Sequence, residues 1–213
     1  MSEPPAITAE QFDDHQQQHV AATLGMWTFL ATEVLFFGAL FLIYTIFRHF
    51  YFEAFAAASQ RTDVLYGTIN SVILLTSSFS VAMAVRAANL NRFNAVLGGL
   101  VCTIVLGFSF LAVKALEYHK DIQDQLVPGP DFTTTLPLQA QVFFWLYWAM
   151  TGLHAVHVTI GIAVLSAITL WTWRLRNLPA HRTTIEVAAL YWHFVDIVWL
   201  YLYPLLYLVN RHS

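Results

Sequence analysis

Five long, continuous apolar runs restrict what this chain can fold into. They cover approximately residues 20–47, 64–85, 95–116, 138–173 and 186–209. About 20 consecutive apolar residues cross the hydrocarbon core of a bilayer as an α-helix. The runs do not alternate with the period of two that a barrel strand requires. The sequence therefore predicts an all-α, polytopic membrane protein with five transmembrane helices in one bundle.

The composition supports a membrane environment. Of the 213 residues, 58% are hydrophobic and only 11% are charged, whereas soluble domains carry about 25% charged residues. The net charge of −3 and the scattered basic residues argue against a nucleic-acid partner. We expect a polar tail over residues 1–19 and one transmembrane domain over residues 20–213. The tail lacks the pattern of a signal peptide, so the first run is expected to remain as a span.

The basic residues of the short loops predict the orientation in the membrane. Arg86 and Arg92 lie around the loop after the second run, and Arg174, Arg176 and Arg182 follow the fourth run. With five spans, both loops lie on the side of the N-terminus. Since basic loops stay in the cytoplasm, the N-terminus is predicted to be cytoplasmic.

Small residues inside the runs predict where helices approach each other. Gly99, Thr103 and Gly107 recur at a spacing of four, and Gly152 and Gly161 lie in the fourth run. Such residues allow close backbone contact between membrane helices.

The chain has one cysteine, Cys102, inside the third run. One thiol can form no internal disulfide, and it cannot supply the paired thiolates of a dinuclear copper or iron–sulfur site. We expect Cys102 to be a small core residue.

Glu33 interrupts the first run near its middle. An acidic residue at that depth costs about 2.5–3.5 kcal/mol on insertion scales. We therefore expect Glu33 to be mostly neutral near pH 7 and to face another helix or a polar cavity. Its candidate partners are Asn70, Ser77, His154 and His157. Its role is either a structural hydrogen bond or that of a titrating group near a proton or lipid site.

His154 and His157 are three residues apart, on one helical face. Two imidazoles could ligate haem or a metal, with His193 of the fifth run as a further ligand. No second matching pair exists in the sequence, so hydrogen bonding within the bundle is the favoured interpretation.

The fifth run carries a second polar patch. Glu186 and His193 are seven residues apart and nearly aligned, and Asp196 follows His193 by three. The patch is either structural or part of a subunit contact or proton region. Glu117 closes the third run, where its position favours a solvated residue at the rim of the membrane.

Five segments resemble, in the same order, segments of subunit III of the haem–copper cytochrome c oxidases. They are LGMWTFLATEVLFFGALF, GTINSVILLTSS, FLAVKALEYHK, MTGLHAVHVTIG and EVAALYWHFVDIVWLYLYPLLY. Together they cover nearly all of the chain after residue 21. The two additional N-terminal helices of the family's long form are absent, so the resemblance is to the short bacterial form. The FDD tail and the LVPGPDF loop look most like the caa3-type enzymes.

The resemblance implies a non-catalytic subunit of a terminal oxygen reductase in a bacterial plasma membrane. Such a subunit holds no haem or copper, contacts subunit I directly and shares a complex with subunits II and IV. Cytochrome c, or a cytochrome c domain, docks through other subunits. The implied roles are support of proton uptake, binding of phospholipid and stabilisation of subunit I. The positions that match the family motifs are Glu33, Glu117, His154, His157, Glu186, His193 and Asp196.

The residues leave three other functions open. They are subunit III of a quinol oxidase, an accessory subunit of nitric oxide reductase, and an independent proton channel or transporter. The sequence has no inverted repeat, which disfavours the transporter.

Overall fold

Helices dominate residues 15–133, 135–175 and 178–209, which are the residues that this computed structural model describes. In chain order they are α1 (His15–Phe50), α2 (Phe52–Ser59), α3 (Val64–Asn89), α4 (Phe93–Gln123), α5 (Ala140–Leu175) and α6 (Leu178–Tyr207). All except α2 are long and apolar enough to cross a membrane. The predicted all-α fold with five spans is confirmed. Most of the proposed tail, residues 1–14, lies outside the described residues, and its boundary stays a prediction.

Helix α5 is longer than a bilayer core is thick, and helix α4 extends beyond its apolar run. The 36 residues of α5 span about 54 Å, more than the roughly 30 Å of a hydrocarbon core, so this helix tilts or projects from the bilayer. Helix α4 continues past residue 116 to Gln123, where the Leu126 amide donates to the Asp121 carbonyl at 2.9 Å. The polar stretch that follows the third run therefore begins as helix, over residues 117–123, because Pro128 and Pro130 break the chain only further on.

The sequence did not reveal α2, which is too short to form an apolar run. Its Phe55 and Ala58 are buried, and the helix packs against α5. The Ser59 hydroxyl donates to the Val209 carbonyl at 2.9 Å. Helix α2 therefore covers the end of the bundle where α6 finishes.

Helix α6 lies at the centre of the bundle. It packs against α3, α5 and α1, while α3 and α4 form a hairpin and α4 also contacts α5. In the most apolar stretch of α6, 61% of the residues are buried, against 17% in that of α1. Its Trp192 and Trp199 are among the largest fully buried side chains. Helix α1 is therefore peripheral and presents most of its surface outward.

The predicted small-residue contacts occur at three of the positions. A Cβ atom on Gly107 or on Gly161 would lie 2.8 Å from the Trp192 ring, and one on Gly99 would lie 2.8 Å from the Ala84 Cβ. The prediction for Gly152 is wrong, since nothing lies within 4 Å of its Cβ position.

The expectation of a core position for Cys102 is also wrong, because this side chain is exposed. It lies on the outer side of α4, as do Val101 and Val105. Apolar residues occupy both the inner and the outer faces of a membrane helix, so hydropathy alone cannot distinguish the two.

Polar contacts mark the two ends of the bundle. At one end, Arg182 donates to the Asn91 amide oxygen at 2.6 Å, so the α3–α4 loop and the start of α6 lie side by side. At the other end, Lys120 of α4 forms an ion pair with Asp63 before α3, with a distance of 2.7 Å. The loops that carry Arg92 and Arg182 thus share one end.

Candidate functional site

Glu33 of α1 is paired with His157 of α5. The distance from Glu33 Oε2 to His157 Nε2 is 3.1 Å, and the two side chains are 18% and 14% exposed. Of the partners predicted for Glu33, His157 is the one observed in hydrogen-bonding contact.

The backbone determines where a proton sits on this imidazole. His157 Nδ1 lies 2.8 Å from the Leu153 carbonyl, which can only accept, so Nδ1 carries a hydrogen. The contact between Nε2 and Glu33 then requires one more proton. Either a neutral Glu33 donates to a neutral His157, or an imidazolium donates to a carboxylate. In both arrangements the pair carries no net charge, which makes it compatible with a membrane interior.

Three helices meet around this pair. The Phe37 ring of α1 contacts the His157 ring edge-on at 5.3 Å. The Tyr191 hydroxyl of α6 donates to the His157 carbonyl at 3.0 Å. The pair therefore joins the peripheral α1 to the α5–α6 core while keeping some access to its surroundings.

The predicted patch on α6 is organised around Ser78 of α3. The distance from Ser78 Oγ to His193 Nδ1 is 2.7 Å. Asp196 is 3% exposed, and neither of its carboxyl oxygens makes a hydrogen bond of good geometry within the described residues, although Ser78 lies alongside. Glu186 is half-buried and lies about 10 Å from His193 along the helix, towards the start of α6. The structure thus brings His193 and Asp196 to Ser78 and leaves Glu186 apart.

Asn70 and His154 are buried polar residues, with 0% and 1% of their surfaces exposed. In the part of the chain that the structure describes, neither side chain has a hydrogen-bond partner. The His154 ring contacts the rings of Phe110 at 5.5 Å and Trp199 at 5.3 Å. The expectation that hydrogen bonds hold both histidines is therefore met by His157 and not by His154.

Metal ligation gains no support from the grouping of side chains. Across residues 15–133, 135–175 and 178–209, no three His, Cys, Asp or Glu side chains cluster in a way that could hold a metal ion. Although only three residues separate them, His157 contacts Glu33 of α1 and His154 contacts Phe110 of α4. His193 forms a hydrogen bond with Ser78 instead.

A buried polar cluster of five residues, the Lys114 cluster, lies where α4 ends, α5 begins and α6 ends. Its members are Lys114, Glu117, Asp121, Tyr147 and Tyr207. Lys114 donates to Glu117 Oε2 at 3.0 Å, and Glu117 is 1% exposed. The interpretation of Glu117 as a solvated rim residue is wrong, because α4 continues past it and α5 and α6 cover it.

Sequence reasoning missed the rest of this cluster. Lys114, Glu117 and Asp121 are spaced by three and four residues, so they share one face of a helix. That spacing predicts a shared face only if the helix continues beyond the apolar run to residue 121. Tyr147 and Tyr207 lie 33 and 93 residues from Lys114 along the chain, and nothing local to the sequence marks them as its partners.

The ion pair at the same end differs because it is accessible to solvent. The Lys120 ammonium donates a hydrogen bond to Asp63 at 2.7 Å and so holds the pKa of that carboxyl below its usual range. Asp63 also accepts from the Leu65 amide at 3.1 Å and thereby caps α3.

An apolar groove of about 480 Å³ runs between α1 and α6. Its walls include Trp27 and Phe37 from α1 and Phe194 from α6, with His193 as a polar member.

Comparisons with known proteins agree with the fold. A family profile for cytochrome c oxidase subunit III matches residues 7–210. The cytochrome c oxidase subunit 3 of Thermostichus vulcanus is 30% identical, over 99% of this chain and 96% of the relative. A heme-copper oxidase subunit I+III of Aeropyrum pernix is 32% identical over 86% of this chain, which corresponds to 22% of the longer relative. A cytochrome bo(3) ubiquinol oxidase subunit 3 of Buchnera aphidicola is 27% identical, over 86% of this chain and 92% of the relative.

The matched region includes all five membrane-crossing helices. It also contains the Glu33–His157 pair, the patch at Ser78 and the Lys114 cluster. The chain belongs to the cytochrome c oxidase subunit III family of the haem–copper oxidases.

Proposed function

We propose that this chain is the non-catalytic subunit III of a bacterial cytochrome c oxidase, most like the caa3 type, and that it binds subunit I directly. The family match over residues 7–210 carries this proposal. The relative from Aeropyrum pernix is named as a subunit I+III, so it carries both subunits in one chain. Such a fusion is compatible with direct contact between the two subunits. Haem and copper belong to partner subunits in this proposal, and subunits II and IV complete the complex.

The outward faces of the bundle suit such an assembly. Large apolar side chains are exposed on α1 and α3, including Leu35 at 74% and Phe79 at 68%. Lipid or apolar helices of other subunits can cover these faces without any cost in desolvated polar groups.

Support of proton uptake is assigned here to Glu33 and His157. Their contact shares one exchangeable proton, and both side chains retain partial exposure. The shared proton of a carboxyl–imidazole pair can move between the two groups without changing the net charge of the pair, which keeps the electrostatic cost of that step low.

Binding of phospholipid is assigned to the groove between α1 and α6. Its walls are apolar apart from a few polar atoms, as an acyl chain requires. Aromatic rings, including those of Trp27 and Phe194, line the groove.

A quinol oxidase subunit III is the second candidate function, because a ubiquinol oxidase subunit 3 aligns over 92% of its own length. The purified complex decides between the two. Oxidation of reduced cytochrome c supports the first function, and oxidation of quinol without cytochrome c supports the second. A stable complex with a nitric oxide reductase would overturn both.

The role in proton uptake is tested in the intact complex by Glu33→Gln, with Glu53→Gln on the exposed face of α2 as the matched control. We expect Glu33→Gln to lower turnover, to hasten inactivation during turnover and to remove an infrared carboxyl signal that responds to redox change. Glu53→Gln should change none of these. An unaltered turnover and infrared spectrum in Glu33→Gln would refute the assignment.

A further inference from the structure

In the Lys114 cluster, the Tyr147 hydroxyl lies within hydrogen-bond distance of three groups but has only one hydrogen to donate. Tyr147 OH lies 3.0 Å from Lys114 Nζ, 2.8 Å from Glu117 Oε1 and 2.9 Å from Asp121 Oδ2. A phenol has one hydrogen to donate and lone pairs that accept. Lys114 can only donate, so Tyr147 accepts from it. Tyr147 can then donate to one carboxyl group, and its contact with the other requires that carboxyl to carry a proton.

The surrounding donors indicate which carboxyl that is. Glu117 Oε1 accepts from Tyr207 at 2.6 Å, and its Oε2 accepts from Lys114 at 3.0 Å. An ionised Glu117 is therefore well supplied with donors, and a donated Tyr147 hydrogen adds a third. Asp121 reaches the cluster through Tyr147. Placing the proton on Asp121 Oδ2 lets it donate to Tyr147, which then donates to Glu117.

This arrangement also uses every donor of the ammonium group. The three hydrogens of Lys114 point to Glu117 Oε2, to Tyr147 OH and to Tyr207 OH, the last at 2.7 Å.

The charge balance points the same way. With Asp121 neutral, the cluster holds one positive charge on Lys114 and one negative charge on Glu117. With Asp121 ionised, it would hold an uncompensated negative charge at a site where all three residues are at most 5% exposed. Burying an unpaired charge is far more costly than burying a neutral pair.

The remaining groups that face the cluster do not change this balance. From α4, Tyr118 bonds to Thr151, and from α5, His154 lies among aromatic rings. Asp124 is exposed beyond the end of α4, and Lys120 is paired with Asp63 at the rim.

We propose that Asp121 is a proton-binding site of this chain, and that its proton is held by the Asp121–Tyr147–Glu117 hydrogen-bond chain. Its partner Tyr147 lies about 15 Å along α5 from His157, because the two residues are ten positions apart. If Asp121 loses its proton, the single Tyr147 hydrogen can be donated to Asp121 or to Glu117 but not to both. One hydrogen bond between α4 and α5 is then lost, so the protonation state of Asp121 is coupled to the contact between these helices. This site is additional to the proton role proposed for Glu33.

Two isosteric variants in the purified oxidase complex test the location of the proton. The Asn of Asp121→Asn can donate to Tyr147 as a protonated Asp does, so the temperature at which this chain dissociates from the complex should not change. Glu117→Gln removes the counter-charge of Lys114 and should lower that temperature by about 10 °C, or prevent assembly.

Infrared difference spectra recorded across a pH change give an independent measurement. A carboxylic acid band that shifts in heavy water should be lost in Asp121→Asn and retained in wild type. The proposal holds only if Asp121→Asn both keeps its stability and loses this band. A destabilised Asp121→Asn, an unchanged band, or a tolerated Glu117→Gln would each overturn it.

Discussion

Trp192 occupies a space that two glycines leave open. Its indole ring takes up the room that a Cβ atom on Gly107 of α4 or on Gly161 of α5 would need. Its Nε1–H donates to the Ser77 hydroxyl on α3 at 3.0 Å. One side chain of the central helix therefore contacts three other helices, and it fits because both glycines lack a Cβ atom.

Gly107→Ala and Gly161→Ala should each lower the free energy of unfolding by about 1–3 kcal/mol, because each added methyl would overlap the Trp192 ring. Gly152→Ala is the matched control on α5, where the added methyl meets nothing within 4 Å. It should be neutral or stabilising by up to about 1 kcal/mol, since Ala favours a helix. Thermal unfolding of the purified chain in detergent measures all three, and an equal loss in the control would contradict the packing argument.

Asn70 offers a different test, because its amide is buried with no hydrogen-bond partner among the described residues. An unsatisfied buried polar group costs about 1–3 kcal/mol. We expect Asn70→Leu to raise the stability of the isolated chain by about 1 kcal/mol. A clear loss of stability in denaturation experiments would instead mean that water, lipid or another group satisfies the amide.

Helices α3 and α4 are fastened to each other at the end opposite Arg182. Asp63 caps α3 and accepts from Lys120 near the end of α4, so one carboxyl serves two helices. Both side chains are accessible to solvent, and the ion pair itself is worth at most about 1 kcal/mol.

Asp63→Ala should lower the free energy of unfolding by about 1 kcal/mol, most of it from the lost cap, and Asp63→Asn should restore most of that loss. The pKa of Asp63 is lowered in the folded chain. Its ionic contribution is therefore fully present above the unfolded pKa of about 3.9 and disappears as the pH falls through the lower, folded value. Denaturation at several pH values measures both effects. Asp63→Asn should lack this acid-dependent loss, and an identical pH profile in the variant would contradict the assignment.

The five spans could be predicted because the length of an apolar run is a local property. The ends of the helices were harder to predict from the sequence. Residues 117–123 are polar, yet they remain helical because α5 and α6 provide partners for Glu117 and Asp121. The pairing of Glu33 with a histidine of the fourth run was among the predicted possibilities. The link from Lys114 to Tyr207 depends on which distant helices become neighbours, and one sequence without that knowledge does not specify it.

The bundle as a whole has two distinct ends, and the sequence argues that the Arg92–Arg182 end faces the cytoplasm. We propose this orientation and test it with single cysteines in a Cys102→Ser background. Asn94→Cys at the start of α4 and Asp131→Cys in the α4–α5 loop are both exposed positions at opposite ends. A membrane-impermeant maleimide added to intact cells should label Asp131→Cys only. Labelling of Asn94→Cys alone would reverse the orientation.

The central position of α6 has a consequence for how the protein is made. This helix is synthesised after the other five, and its most apolar stretch has a mean hydropathy of 1.4, the lowest of the crossing helices. It also brings Trp192 and Trp199, the side chains that fill the middle of the bundle. Until it emerges from the ribosome, the earlier helices surround an unfilled space. A nascent chain that stops before α6 therefore lacks the side chains that fill the middle of the bundle. Proteases that recognise loosely packed membrane helices can distinguish such a chain from the complete protein.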